Sequence, residues 1–429
     1  MNTAPRRALG AIVFLPKTLL ALRKEAGFSL ALWALLALLN LAAQIVFRRQ
    51  LLPGEFAMLN TLLAVVALLT VPVLALQLAL AHFPVPPERA AAFRDARLPL
   101  VQNFAIAWVF IATPLLFPIL GCLSFPRFSF DLFALLNLLF GLGAAIGAAL
   151  CEKENRLRLW GRLLFACAVV RLLLAVGLTR LEPFAESGLA IGLIAGFITL
   201  APMLRQTHLE FGWGKMTAVL GDRNFRLYLG ATLSVLLGLF LFTNGDRIVA
   251  EVWFGQPDNN NMGYVNWYLF DGYQAAGLLG RSLLWGTQPL LLLMLVRRTQ
   301  TTRTTLDSLP LYWLYVIALV AGAFVLTALT QPLSQLFGGA HPELTASFIP
   351  SFAVAMIPLG LLQGVGIFSL ASRRYPECFV IGGSGLAYTI FLYWFGRPQL
   401  LLSCMFGGGV AALMLVLFVG MVRWGRRQP

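Results

Sequence analysis

The chain is 429 residues long, 59% hydrophobic and only 12% charged, with a formal net charge of +14. So apolar a composition excludes an ordinary water-soluble fold, and runs long enough to cross a hydrocarbon core of roughly 30 Å recur throughout. The excess of base does not indicate nucleic acid, because the Lys and Arg residues sit in short loops between apolar runs instead of on one module.

In chain order, residues 8–25 carry Lys17, Arg23 and Lys24 among apolar positions and are expected to form an interfacial amphipathic helix, not a cleaved signal peptide. Spans are expected near 28–47, 56–83, 98–120, 130–151, 162–180 and 185–204, then near 227–247, 264–294, 309–330, 346–370, 378–395 and 399–422. Apolar residues fill consecutive positions, as in LALWALLALLNLAAQIVF, and not the alternate positions of a β-barrel strand. The expected fold class is all-α integral membrane, with about twelve transmembrane helices in two six-helix lobes related by pseudo-two-fold symmetry. The chain then divides into a cytoplasmic N-terminus (1–27), a first lobe (28–204), a cytoplasmic linker (205–226), a second lobe (227–422) and a cytoplasmic tail (423–429).

Loop charge sets the direction. With the N-terminus inside, the inner segments hold about 24 Lys and Arg and the outer ones about 6, namely Arg48, Arg49, Arg127, Arg180, Arg247 and Arg397. Each inner loop holds at least two, so the alternation holds loop by loop. A bacterial inner membrane with both termini cytoplasmic is the expected location. Five scattered cysteines without a CxxC pair, and three distant histidines, give no metal site. Absence of GxSxG, HExxH and Walker sequences points away from an enzyme, and no catalytic residue or cofactor is expected.

The two halves are weakly similar: FRRQLLPGEFAMLNTLLAVVALL in the first hairpin corresponds to DRIVAEVWFGQPDNNNMGYVNWYLFDGYQAAGLL in the seventh and eighth spans. A parallel repeat of this kind commonly places a transport site between the lobes. These segments, with TNGDRIV, MGYVNWY and LLGRSLLWGTQPLL, resemble the oligosaccharide and polysaccharide flippases of the multidrug, oligosaccharidyl-lipid and polysaccharide exporter superfamily. The resemblance implies alternating-access export of a polyisoprenoid-linked oligosaccharide, with a coupling cation and polysaccharide-assembly enzymes as possible partners beside membrane lipids, and no nucleic acid. Two alternatives stand beside it: a cation-coupled multidrug-type exporter, and a non-transporting scaffold for polysaccharide enzymes.

Charges inside spans are costly and face a cavity or a partner. Arg281 is the most central charge of the second lobe, with Asp271 ten positions earlier, while Asp246 and Arg247 end the seventh span; Arg171 lies inside the fifth. Under the resemblance, Arg281 contacts a pyrophosphate and Asp246 and Asp271 bind a cation or sugar hydroxyls; the alternative is an Arg and Asp that neutralise each other. Arg171 either lines an anion path or snorkels. Asp246 and Arg247 are alternatively an interfacial pair reaching water. Asn40, Gln44, Gln77 and Asn137 either line a wet cleft or bind helix to helix. Glycines such as Gly382, Gly383 and Gly385 are expected to permit close helix approach.

Overall fold

The computed structural model describes residues 26–122, 128–153, 219–254, 263–300 and 309–395, apart from a few turn positions, with parts of 162–177 and 408–420. The expected interfacial helix at 8–25, the span at 185–204 and most of that at 162–180 lie outside the described residues. Regular structure among the described residues is entirely helical: α1 (Ala26–Gln50), α2 (Glu55–His82), α3 (Ala90–Cys122), α4 (Phe128–Lys153), α5 (Arg223–Phe254), α6 (Gly263–Gln300), α7 (Leu309–Ala328), α8 (Thr330–Phe337), α9 (Pro342–Ala371) and α10 (Tyr375–Phe395). A shorter apolar helix, α11, covers Ala411–Gly420.

Five of these helices (α2, α3, α5, α9 and α10) pass a length and apolarity test for crossing a bilayer. At 1.5 Å per residue, 28 residues of α2 reach about 42 Å, beyond the apolar core. The ninth expected span, 309–330, matches α7, and a second helix follows it at once: Tyr312–Ala328 and Thr330–Phe337 meet at 75°. The segment 331–345, expected as a loop, therefore opens with α8.

Two further expectations are corrected. The seventh span, expected to stop at 247, continues as α5 to Phe254. Asp246 and Arg247 are consequently 1% and 3% exposed, deep in the protein, and do not form an interfacial pair reaching water. Arg48, assigned to an outer loop, lies in the last turn of α1 and is 4% exposed.

Packing follows side-chain size. Within the second lobe the tightest approach is α5 against α10, where the backbones meet at glycines. A Cβ added at Gly385 would sit 2.6 Å from the Gly238 Cα, and one at Gly382 would sit 2.9 Å from the Ser234 carbonyl oxygen. Gly383, one position away, faces open space.

Between the two lobes, α2 packs along α5, and both α1 and α2 pack on α6. At the end holding the α1–α2 turn, Thr61 of α2 meets Arg247 of α5. At the opposite end Phe83, just past α2, packs on Phe225 and Tyr228 of α5 with ring centroids 5.3 and 5.6 Å apart. The α2–α5 seam thus runs the length of both helices.

The glycine contacts give a direct test. Gly238→Ala forces a Cβ to 2.7 Å from the Ile381 carbonyl carbon, which neither backbone can relieve cheaply, so a loss of about 1–3 kcal/mol is expected. Gly383→Ala is expected to change stability by less than about 1 kcal/mol. Apparent melting temperatures in detergent should therefore fall for the first variant and hold for the second.

Candidate functional site

The intramembrane charges anticipated in the second lobe lie on α5 and α6. Every residue from Phe270 to Arg281 of α6 is buried, since α6 is packed by α1, α2, α5, α7 and α9. A helix enclosed on all sides has no water for a charge, so each must find a protein partner.

Arg281, among the largest fully buried side chains, finds it on α5. Its Nη2 donates to both oxygens of Asp246 at 2.6 and 2.5 Å, and its Nε donates to the Thr243 carbonyl oxygen. Tyr273 Oη donates to Asp246 Oδ2 at 2.7 Å. The guanidinium also lies 5.4 Å from the centroid of Phe352 of α9. Arg281 and Asp246 are therefore the arginine and aspartate that neutralise each other, and the partner of Arg281 is not Asp271.

Asp271 is held from the other lobe. Arg48 Nη1 donates to its Oδ2 at 2.6 Å, with side chains 4% and 0% exposed. Its Oδ1 accepts the Ala57 backbone N–H at 3.1 Å. That N–H lies in the first turn of α2, where no carbonyl precedes it, and a carboxylate there also meets the positive end of the helix dipole.

A third group lies one turn along. Thr61 Oγ1 is 3.2 Å from the Ala57 oxygen and 3.4 Å from the Arg247 oxygen, and accepts from Gln274 Nε2 at 3.4 Å. Glu251 hydrogen-bonds to the Thr61 side chain and lies near Asp271, while the Arg247 side chain lies near Arg281, Asp246 and Tyr273. Buried polar atoms here without a hydrogen-bond partner among the described residues include Nε and Nη2 of Arg247, Nη1 of Arg281, Nε of Arg48 and Oε1 of Gln274. Arg247 is 3% exposed, Glu251 1% and Gln274 0%. Buried polar atoms are normally paired, so such a set is where water or a polar ligand is held.

The remaining described sequence candidates lie on α1, α2 and α4, and Gln44 Oε1, one turn before Arg48, is also buried without a hydrogen-bond partner among the described residues. Asn40 is exposed and Gln44 half-buried on α1, Gln77 is half-buried on α2, and Asn137 is buried on α4. Arg171 lies outside the described residues. Conversely, Arg48, Thr61, Glu251, Tyr273 and Gln274 were not singled out from the sequence. Glu251 follows Arg247 by one turn, so extending the seventh span would have marked it as an intramembrane charge.

No protein-family model matches the sequence, and no curated protein matches it significantly. Solved structures do match. An inward-facing multidrug resistance MATE family transporter of the MOP superfamily superposes with a TM-score of 0.61 at 13% identity, covering 91% of this chain and 94% of that one. The fold is that of the MATE transporters. A MATE protein in the straight conformation gives a TM-score of 0.59 at 13% identity, covering 92% of this chain and 93% of the other. A MOP superfamily transporter from Pyrococcus furiosus, described as having a binding pocket of reverse polarity that suggests a different function, gives 0.56 at 13% identity over 92% and 94%. The chain is thus an all-α membrane protein of about twelve helices in two six-helix lobes.

The buried Arg281–Asp246 pair predicts a non-additive result. Asp246→Leu leaves a guanidinium unpaired in a dry site and should cost about 3–5 kcal/mol. Adding Arg281→Met to it should restore most of the loss. Apparent melting temperatures of the two single variants and the double variant check this.

Proposed function

We propose that the chain is a membrane exporter working by alternating access, and that its substrate carries a phosphate or pyrophosphate headgroup, as a polyisoprenoid-linked oligosaccharide does. The observation that carries this is the Arg247 guanidinium, buried on α5 where its backbone meets Thr61 of α2, with Nε and Nη2 making no hydrogen bond to any described residue. Guanidinium forks match phosphate oxygens two bonds at a time. Arg281, expected from the sequence to make that contact, instead pairs with Asp246 and Thr243 through Nη2 and Nε, which leaves only its Nη1 without a hydrogen bond among the described residues. Its role is to occupy Asp246, which would otherwise be the nearest carboxylate to compete for Arg247.

Charge balance shapes the rest. The buried cluster carries Arg48, Arg247 and Arg281 against Asp246, Asp271 and Glu251, so it is balanced and not simply cationic. A phosphate entering beside Arg247 would meet an ionised Glu251. Uptake of a proton or other cation by Glu251 removes that repulsion, which makes Glu251 the coupling group in place of Asp246 or Asp271. The positive-inside loops favour cytoplasmic termini, and export from the cytoplasmic to the outer leaflet of a bacterial inner membrane belongs to the same proposal.

A second reading is an exporter of small cationic compounds. A buried carboxylate with no basic partner among the described residues, such as Glu251, is what such a substrate would use, and the multidrug transporter that shares this fold fits it equally well.

The two separate on one pair of variants. On the phosphate reading, Arg247→Gln lowers surface-glycan output at least roughly ten-fold at unchanged membrane level, as loss of a charged hydrogen bond to a buried anion would, and Arg247→Lys retains part of it. Full output from Arg247→Gln, together with loss of cationic dye efflux in Glu251→Gln, would favour the second reading instead.

A further inference from the structure

The lobes are tied at the α1–α2 end by side chains that belong to neither lobe's own packing. Arg48 closes α1 and reaches across to Asp271 of α6. The same carboxylate draws in the first turn of α2 through the Ala57 N–H. Beside it, Arg49 Nε donates to the Leu336 carbonyl oxygen at the end of α8, at 3.0 Å. The Arg48 guanidinium also lies against the backbone of Gly339, whose φ of +101° favours glycine and where a Cβ would stand 2.8 Å from the Arg48 Cζ. Phe56 covers Arg48 from the α2 side, its ring centroid 5.4 Å from the guanidinium carbon.

We propose that Arg48 and Asp271 form a releasable latch that closes the outer mouth of the interlobe chamber. Its position fits: Ala57 and Asp271 lie one turn from Thr61 and Gln274 on their respective helices, so the latch layer caps the layer of Thr61, Gln274 and Arg247, with Glu251 beside Asp271 in the latch layer itself. Its chemistry fits as well. A buried ion pair adds little net stability over an apolar contact of equal size, so joining two bodies for stability alone does not call for one. What it supplies is two states. Dry, the pair attracts strongly; once water enters, the attraction collapses and both groups are hydrated, whereas separated apolar surfaces would remain costly to expose. The Leu336 carbonyl holds the neighbouring Arg49, and Gly339, just past α8, leaves room for the Arg48 guanidinium, so the end of α8 and the turn after it form the seat of the latch.

This rests on the alternating-access reading but not on the substrate, and its test uses none. The native cysteines Cys122, Cys151, Cys167, Cys378 and Cys404 are replaced by alanine in the full chain, and Thr61→Cys, at a fully buried position under the latch, is added. Intact cells are treated with a membrane-impermeant maleimide. The Thr61→Cys parent should label slowly, Asp271→Asn and Arg48→Gln each at least roughly ten-fold faster, and Arg48→Lys close to the parent. Gly339→Ala, a change confined to a turn, should label several-fold faster and decides the matter if the Asp271 and Arg48 variants do not reach the membrane. Labelling at the parental rate in Asp271→Asn, or in Gly339→Ala where that variant decides, overturns the latch. Failure of the phosphate reading would show separately, as unchanged glycan output in Arg247→Gln.

Discussion

A charge removed from water inside an apolar protein must be paired, hydrated or neutralised, and the centre of this molecule is arranged around that requirement. Three arginines and three carboxylates are buried on α1, α5 and α6. Two of the possible pairs are made, Arg281 with Asp246 and Arg48 with Asp271. Making them dictates much else: α5 lies against α6 so that Thr243 and Asp246 receive one guanidinium, and the first turn of α2 points its N–H at Asp271.

The two pairs have different consequences because of where they fall. Arg281 and Asp246 both belong to the second lobe, which is further unified by glycine contacts between α5 and α10, so the pair moves with a rigid body. Arg48 and Asp271 join one lobe to the other, so the proposed latch parts if the lobes separate at that end. Arg247 and Glu251, one turn apart on α5, are left over. They lie beside the α2–α5 seam, Glu251 bonded to Thr61 and Arg247 with two nitrogens unpaired among the described residues, and this is the place proposed for the substrate headgroup.

Hydropathy made most helices legible, since spans of apolar residues leave little choice of structure in a bilayer. It was weaker at their ends. Truncating α5 at 247 placed Asp246 and Arg247 at a watery interface and hid Glu251, while the adjacent Arg48 and Arg49, just before Pro53 and Gly54, looked like ordinary loop charges. Partner choice was harder still. Asp271 and Arg281 share a helix, but ten residues separate them by about 15 Å along its axis, too far for a direct pair. Each therefore needs a partner from another helix, and which helix supplies it depends on packing that one-dimensional spacing does not contain. The bend at Leu329 was likewise invisible, because Thr330–Phe337 is short and amphipathic where the preceding helix is apolar throughout.

The central claim is that Arg247, and not Arg281, faces the headgroup of an anionic substrate between the lobes. Cryo-electron microscopy of the purified chain with a polyprenyl pyrophosphate-linked sugar measures this most directly. Headgroup density is expected within hydrogen-bond distance of Arg247 Nε and Nη2 and near Gln274, with the Arg281–Asp246 pair intact. Headgroup density on Arg281 with Asp246 displaced, or density confined to the first lobe, would contradict it.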